Sequence, residues 1–314
     1  MKAGRNKTID ISLEEGVPYL ERCIKVEEKK DLSEIVNKTI CGDSFEVMKN
    51  LPEKFADLLI VDPPYNMDKD FSGKSFKKMT DEVYAEYTEK WLEAALPCLK
   101  DNGSVYVCCD WESSMVIGLT LKKYLTLRNR ITWQREKGRG ALSNWKNGME
   151  DIYFATASKS DYKFNIDDVK IRRRVLAPYR VDGAPKDWEE TEEGNFRNTY
   201  PSNFWDDISI PYWSMSENTA HPTQKSEKLL AKLILASSDK GDVVFDPFGG
   251  SGSTAVTAKK LGRNFVTIEQ NPQYCIWAEK RLEMADSDMS IQGYTDGVFW
   301  ERNTHSLQGR KKKV

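Results

Sequence analysis

The chain has 314 residues, enough to bury an α/β core without a disulfide or metal staple. Its formal net charge of -2 and pI near 6.0 argue against a protein whose whole surface binds nucleic acid. Six scattered cysteines without a C-x-x-C pair read as reduced thiols rather than a metal or redox site, so no metal is expected.

Residues 1–38 are polar and charge-rich (Arg5, Lys7, Asp10, Glu14, Glu15), which excludes the apolar core of a signal peptide and reads as an N-terminal extension packed loosely on the rest. No stretch approaches a membrane span, so the expectation is a soluble, cytoplasmic protein with no membrane partner. Residues 39–157 then read as the first half of an α/β domain, with strands near 39–41, 57–61, 104–108, 130–133 and 152–155.

The second of these strands ends in Asp62-Pro63-Pro64-Tyr65, at the edge where open α/β sheets bind ligands. The prolines fix φ and push each preceding residue into extended geometry, leaving the carbonyls of Asp62 and Pro63 without helical partners. An exocyclic amine on a base is planar, and its lone pair is drained into the ring. Two acceptors on its two N–H bonds, the Asp62 carboxylate and the Pro63 carbonyl, would favour a pyramidal nitrogen aimed at an electrophilic methyl group. Tyr65 offers a ring on which an extruded base can stack. An ordinary strand-end turn is the plain alternative.

Residues 67–79 read as a loop that interleaves Lys69, Phe71, Lys74, Phe76, Lys77 and Lys78, suited to phosphate contact beside a flipped base or simply to a solvated loop. A helix follows with Thr80 or Asp81 as N-cap. It carries Val83, Tyr87, Trp91, Ala95 and Leu99 on one face and ends at Asn102-Gly103. Further basic residues gather at Arg128, Arg130, Arg135, Lys137, Arg139 and Lys146. Across residues 158–220 the strand and helix rhythm stops in a loop-rich segment with Pro178, Trp188, Trp205 and Trp213, and with Arg172, Arg173, Arg174, Arg180 and Arg197.

Residues 221–284 resume the rhythm: a helix near 226–237, a strand at 243–246, a glycine turn, a helix to about Leu261, a strand at 264–269 and a helix from Pro272. Alternating strands and helices predict a parallel sheet with right-handed crossovers. The turn Asp246-Pro247-Phe248-Gly249-Gly250-Ser251-Gly252 lets a ligand approach the backbone at a helix N-terminus, and Glu269 ends the next strand where a carboxylate can accept two ribose hydroxyls. A P-loop is disfavoured because no lysine precedes Ser253 and Thr254. A dehydrogenase also fits the glycines, but too few residues are expected to follow for its remaining strands, and it leaves the proline tetrad unexplained. Residues 285–314 read as a tail ending in the basic run Arg310 to Lys313.

Asp62-Pro63-Pro64-Tyr65, His221-Pro222-Thr223-Gln224-Lys225 and Phe245-Asp246-Pro247-Phe248-Gly249-Gly250-Ser251-Gly252, in that order, resemble the beta-class amino DNA methyltransferases of restriction–modification systems. The resemblance covers about 39–282; the family usually has proline where this chain has Ser226. It implies a Rossmann-like S-adenosylmethionine-dependent methyltransferase fold, circularly permuted. The expected sheet is seven-stranded and mostly parallel, with 158–220 as the inserted target recognition region. It implies a bacterial, archaeal or phage source, S-adenosylmethionine as cofactor and double-stranded DNA as substrate, and leaves room for a homodimer and a separate restriction endonuclease.

By the same resemblance Asp62, Pro63, Pro64 and Tyr65 are catalytic. Asp246, Phe248, Gly249 and Ser251 form the cofactor turn, and Glu269 is the ribose acceptor. Asp43, with Ser44, meets the adenine of the cofactor, while Thr223 and Lys225 anchor its methionine carboxylate. His221 either joins them or only holds its loop; with His305 as the other histidine, no metal site is indicated. Aspartate at position 62 favours adenine N6 over cytosine N4, for which the family usually has serine. A catalytically idle DNA-binding relative is the remaining alternative. The arginines of 158–220 read as phosphate contacts or surface ion pairs, with no base reader named.

Overall fold

The computed structural model describes residues 5–71, 74–135, 143–175, 179–302 and 304. Lys137, Arg139, Pro178, His305 and Arg310 to Lys313 lie outside them, as do the side chains of Phe71 and Lys74.

Eight strands form one sheet in the order Lys38–Cys41, Asn264–Glu269, Val243–Asp246, Ala56–Val61, Leu99–Cys109, Met149–Thr156, Thr126–Gln134 and Phe204–Trp205. The first five run parallel, and Met149–Thr156 runs antiparallel to both its neighbours. Seven strands match the expected Rossmann-like count. The eighth, Phe204–Trp205, joins the edge in parallel and comes from the segment read as loop, being too short to show a two-residue period.

Successive residues of the central strands feed opposite layers. Leu59, Val61, Val105, Val107, Phe245 and Ile268 pack with Tyr84, Trp91 and Ile117 of the helices Asp81–Ala95 and Trp111–Tyr124. Leu58, Ile60, Tyr106 and Val244 pack with Leu229, Leu233, Val256 and Leu282 of the helices Glu227–Ser237, Ser253–Lys260 and Pro272–Met284. Burial on both faces explains why these strands read as continuous apolar runs.

The helix expected to reach Asn102-Gly103 stops at Ala95, because Pro97 follows in a 3-10 turn, and Asn102-Gly103 lies inside the strand Leu99–Cys109. Thr80 does cap it, accepting from the Val83 amide at 3.4 Å. Its buried face is Tyr84, Thr88, Trp91, Leu92 and Ala95, rotated from the expected stripe so that Val83 is exposed. The loop at 67–79 is a hairpin, Lys69–Phe71 against Lys74–Phe76, pinned at its base by Asn66, whose amide bonds both the N–H and the carbonyl of Met79.

Two boundary expectations change. The N-terminal residues do not lie loosely: Ile9 is buried with Tyr274, Ile276 and Trp277, and Val17–Leu20 packs on the helix Pro272–Met284. Residues 285–314 are not only a tail, because Tyr294–Thr295 and Val298–Trp300 join Ile171–Arg174, Gly194–Thr199 and Glu189–Thr191 in a second, five-stranded sheet. The region read as loop thus borrows strands from far along the chain. A buried cluster fastens this sheet to the main domain: Asp207 pairs with Lys232 at 2.7 Å and Lys228 at 2.8 Å on the helix Glu227–Ser237, and Lys232 also lies 5.5 Å from the Phe299 ring. Among the described residues no helix is long and apolar enough to cross a membrane.

Candidate active site

The strand ending at Val61 and the strand ending at Asp246 are hydrogen-bonded neighbours, so the proline tetrad and the glycine turn leave the sheet side by side. Between them opens a cavity of about 570 Å³, within the range of small-molecule sites. Asp62, Pro63, Pro64, Tyr65, Thr223, Lys225, Asp246, Phe248, Gly249, Ser251 and Glu269 all line it.

Gly249 is required by close approach: a Cβ there would sit 2.1 Å from the Thr267 hydroxyl. Gly252, at φ +73°, takes the left-handed backbone needed to start the helix Ser253–Lys260, and a Cβ would meet that of Ala278 at 2.6 Å. Arg281 braces the turn from beneath, donating at 2.8 Å to both the Ser251 carbonyl and the Ser253 hydroxyl while paired with Glu227 at 3.0 Å.

Two carboxylates flank the turn. Asp246 accepts from the Phe248 amide at 2.9 Å, and Glu269 accepts from the amides of Gly250 at 2.8 Å and Asn271 at 2.7 Å. Burial raises both to about 7, with those backbone donors working in the opposite direction. Phe248 stands edge-on to Trp91 with centroids 6.3 Å apart, while Leu13, Pro272 and Tyr274 supply apolar wall. A carboxylate with free lone pairs at one end, apolar walls and a glycine floor fit a nucleoside with an extended polar tail.

On the other side the Tyr65 hydroxyl donates to Asp62 at 2.9 Å. Lys225 reaches Asp62 at 2.6 Å and the Tyr65 oxygen at 3.0 Å. Burial opposes the charge on Lys225, but the carboxylates of Asp62 and Glu150 raise its pKa above the ordinary lysine value. Its ammonium, expected from the resemblance as an anchor for the cofactor carboxylate, is engaged here by the tetrad. Burial likewise lifts the Tyr65 phenol well above its ordinary value, helped by Asp62, so Tyr65 is a neutral donor.

Asp43 and Ser44 do not line the cavity. Asp43 caps the helix Ser44–Met48 by accepting from the amides of Phe45 at 3.0 Å and Glu46 at 3.3 Å, and the Ser44 hydroxyl donates to the Pro247 carbonyl. Both amides bond the same Asp43 oxygen, so capping is the role the structure records for this residue. His221 accepts from the Thr223 amide at 3.3 Å and packs on Tyr274 at 4.4 Å; burial pushes it down to about 4, so it is a neutral acceptor holding its own loop. Among the described residues no group of three or more metal-ligating side chains is present.

The arginines of residues 158–220 face acidic or carbonyl partners: Arg172 with Glu189 at 2.9 Å, Arg180 with Glu190 at 3.0 Å, Arg197 with Asp187 at 3.3 Å, Arg173 with Glu301 at 3.9 Å, and Arg174 with the Glu193 carbonyl at 3.1 Å. The sequence reading missed Glu150, which is buried beside Lys225 and Tyr65. Its only local signal was a charged pair, Glu150-Asp151, opening an apolar strand.

A twisted, mostly parallel sheet with a glycine turn and an acidic strand end beside it defines the class of S-adenosylmethionine-dependent methyltransferases. A family model described as DNA methylase matches residues 56–280. The type II methyltransferase M.HpaI of Haemophilus parainfluenzae is 32% identical over 248 residues, 78% of this chain and 74% of the relative. The DNA adenine methyltransferase YhdJ of Escherichia coli (strain K12) is 32% identical over 255 residues, 79% of this chain and 83% of the relative. The chain belongs to the DNA methylase family, the amino methyltransferases that modify adenine N6 or cytosine N4, and DNA is its substrate. Its methyl donor is S-adenosylmethionine. Solved structures share the fold: the cytosine-N4-specific PvuII DNA methyltransferase at TM-score 0.57 and 16% identity, covering 78% of this chain and 85% of that one, and M1.HpyAVI in complex with S-adenosylmethionine at 0.51 and 24%, covering 78% and 98%.

Proposed function

We propose that the protein methylates adenine N6 in duplex DNA, taking the target base out of the helix into the cavity beside Asp62. The observation that carries this reading is the single cavity that Asp62 and Tyr65 share with Phe248, Gly249, Ser251 and Glu269. Bound S-adenosylmethionine supplies an activated methyl group on a positively charged sulfur. On the protein side, Glu269 accepts ribose hydroxyls, Asp246 and the Gly249 to Ser251 backbone flank the remainder, and Thr223 stands at the tail. Asp62 and the Pro63 carbonyl accept the two N–H bonds of the target amine, and the Tyr65 ring and Pro64 bound the base.

Lys225 in this reading does not touch the cofactor carboxylate; it holds the Asp62 side chain in place. Aspartate at the head of the tetrad and a relative named as a DNA adenine methyltransferase support adenine. Residues 158–220, joined by Tyr294–Thr295 and Val298–Trp300, form the target recognition region. The test is methyl transfer from radiolabelled S-adenosylmethionine to unmethylated duplex DNA, followed by nuclease digestion and mass spectrometry. N6-methyladenine is expected, and N4-methylcytosine in its place sinks the adenine reading. Asp62→Ala should cut the rate by about 10²–10³-fold, the usual cost of losing a preorganised polar group.

A further inference from the structure

Glu150 stands near the start of the strand Met149–Thr156 with its side chain only 4% exposed. A carboxylate so buried needs cations or donors around it. It has two cationic partners, the guanidinium of Arg135, just past the end of the neighbouring strand, and the ammonium of Lys225 at 3.5 Å; the Tyr65 oxygen lies 3.4 Å away, its single proton directed at the nearer Asp62. Lys225 and Tyr65 are the same two groups that hold Asp62, at 2.6 Å and 2.9 Å. Two negative and two positive charges thus alternate away from the cavity wall: Asp62, Lys225, Glu150, Arg135.

We infer that Glu150 is a positioning residue for methyl transfer, holding Lys225 and Tyr65 against Asp62 from behind so that the Asp62 carboxylate meets the target amine in one orientation. The inference rests on Asp62 being the acceptor proposed above. Glu150 need not touch the base or the donor. Lys225 bonds Asp62 and the Tyr65 oxygen on the cavity side, while the Glu150 carboxylate attracts the same ammonium from 3.5 Å on the other side. Removing Glu150 leaves the ammonium tethered from the cavity side alone, free to swing and to draw Asp62 with it. A displacement near 1 Å is enough to cost about 10²-fold in a reaction that depends on alignment. The charge on Lys225 depends on the same arrangement, because the other groups facing it, Cys108, His221 and Asp246, are buried and supply less opposing charge.

The test is single-turnover methylation of duplex DNA by Glu150→Gln, with calorimetric titration of S-adenosylmethionine and a pH profile beside it. The expected result is a rate at least about tenfold lower at unchanged cofactor affinity. The alkaline fall in rate should move to lower pH, since Lys225 keeps one carboxylate neighbour in place of two. Arg135→Gln should also slow the reaction but shift that fall the other way, because Glu150 without its guanidinium draws harder on Lys225. This variant alters the outer end of the network and carries the test if Glu150→Gln folds poorly. A native rate and an unmoved alkaline limb in a folded variant, with Asp62→Ala inactive, overturn the inference. Full activity in Asp62→Ala overturns instead the reading beneath it.

Discussion

Glu269 and Asp246 carry opposite consequences for stability and for binding. Each is buried with a folded pKa raised to about 7, against ordinary values of 4.5 and 3.8. The folded protein therefore holds more protons than the unfolded chain between those limits, so the cost of burying the charges grows as pH rises through this window. Stability from these two groups should increase on acidification from above 7 towards 5. A ribose-binding carboxylate works best charged, so cofactor affinity should fall over the same interval. Melting temperature and calorimetric Kd measured across that range should move in opposite directions; a Kd that ignores pH would remove Glu269 from the ribose role.

At the same scale, residue types that the chemistry itself demands were legible. Asp62 followed by two prolines, and Gly249 where a Cβ would strike Thr267, admit few substitutes. Glu150 was not legible, because its meaning lies in Tyr65 and Lys225, which reach it from distant parts of the chain. The partners of Lys225 and Asp43 were not legible for a related reason. The resemblance assigned both to the cofactor, but a lysine's partner and an aspartate's cap are decided by which group is nearest in space.

Among the elements, the hairpin after the tetrad depends on one side chain. Asn66 bonds Met79 at 3.0 Å through its NH2 group and at 2.8 Å through its oxygen, closing the segment, while Phe76 packs on Tyr84 and Tyr87. Asn66→Ala should loosen the hairpin at a cost of about 1–3 kcal/mol, since the half-buried N–H and carbonyl of Met79 lose their partner. Its effect should appear in DNA binding and methylation rate, with cofactor titration unchanged; an unaltered DNA affinity would separate the hairpin from DNA. The helix Asp81–Ala95 was readable from its cap, but the expected stripe caught only Trp91 and Ala95 of its buried face, and its end was missed because Pro97 acts two residues further on than the last helical position. Strands of two to six residues in the second sheet were too short to carry a readable period, and one of them, Ile171–Arg174, finds a partner more than a hundred positions away at Val298–Trp300.

At the scale of the molecule, the second sheet is fastened by buried charge as well as by apolar contact. Asp207 holds two lysines, both buried; burial lowers both below the ordinary lysine value, Lys232 to about 8, and the Asp207 carboxylate works against that fall. Asp207→Ala leaves both without their carboxylate and should destabilise the protein by about 3–5 kcal/mol, the usual cost of breaking a buried pair from one side. Chemical denaturation should show either a lower midpoint or an early transition confined to this sheet. A change below about 1 kcal/mol would mean that Phe299 and the surrounding apolar cluster fasten it alone.

The pairing of Ala56–Val61 with Val243–Asp246 also sets an order in time. A ribosome releases the first of these strands long before it makes the second, so one apolar edge waits, open, while the rest of the chain is synthesised. Methylation competence arrives as a late, single event: no growing intermediate carries half an activity, and a chain stalled before Val243 is an aggregation hazard rather than a weak enzyme.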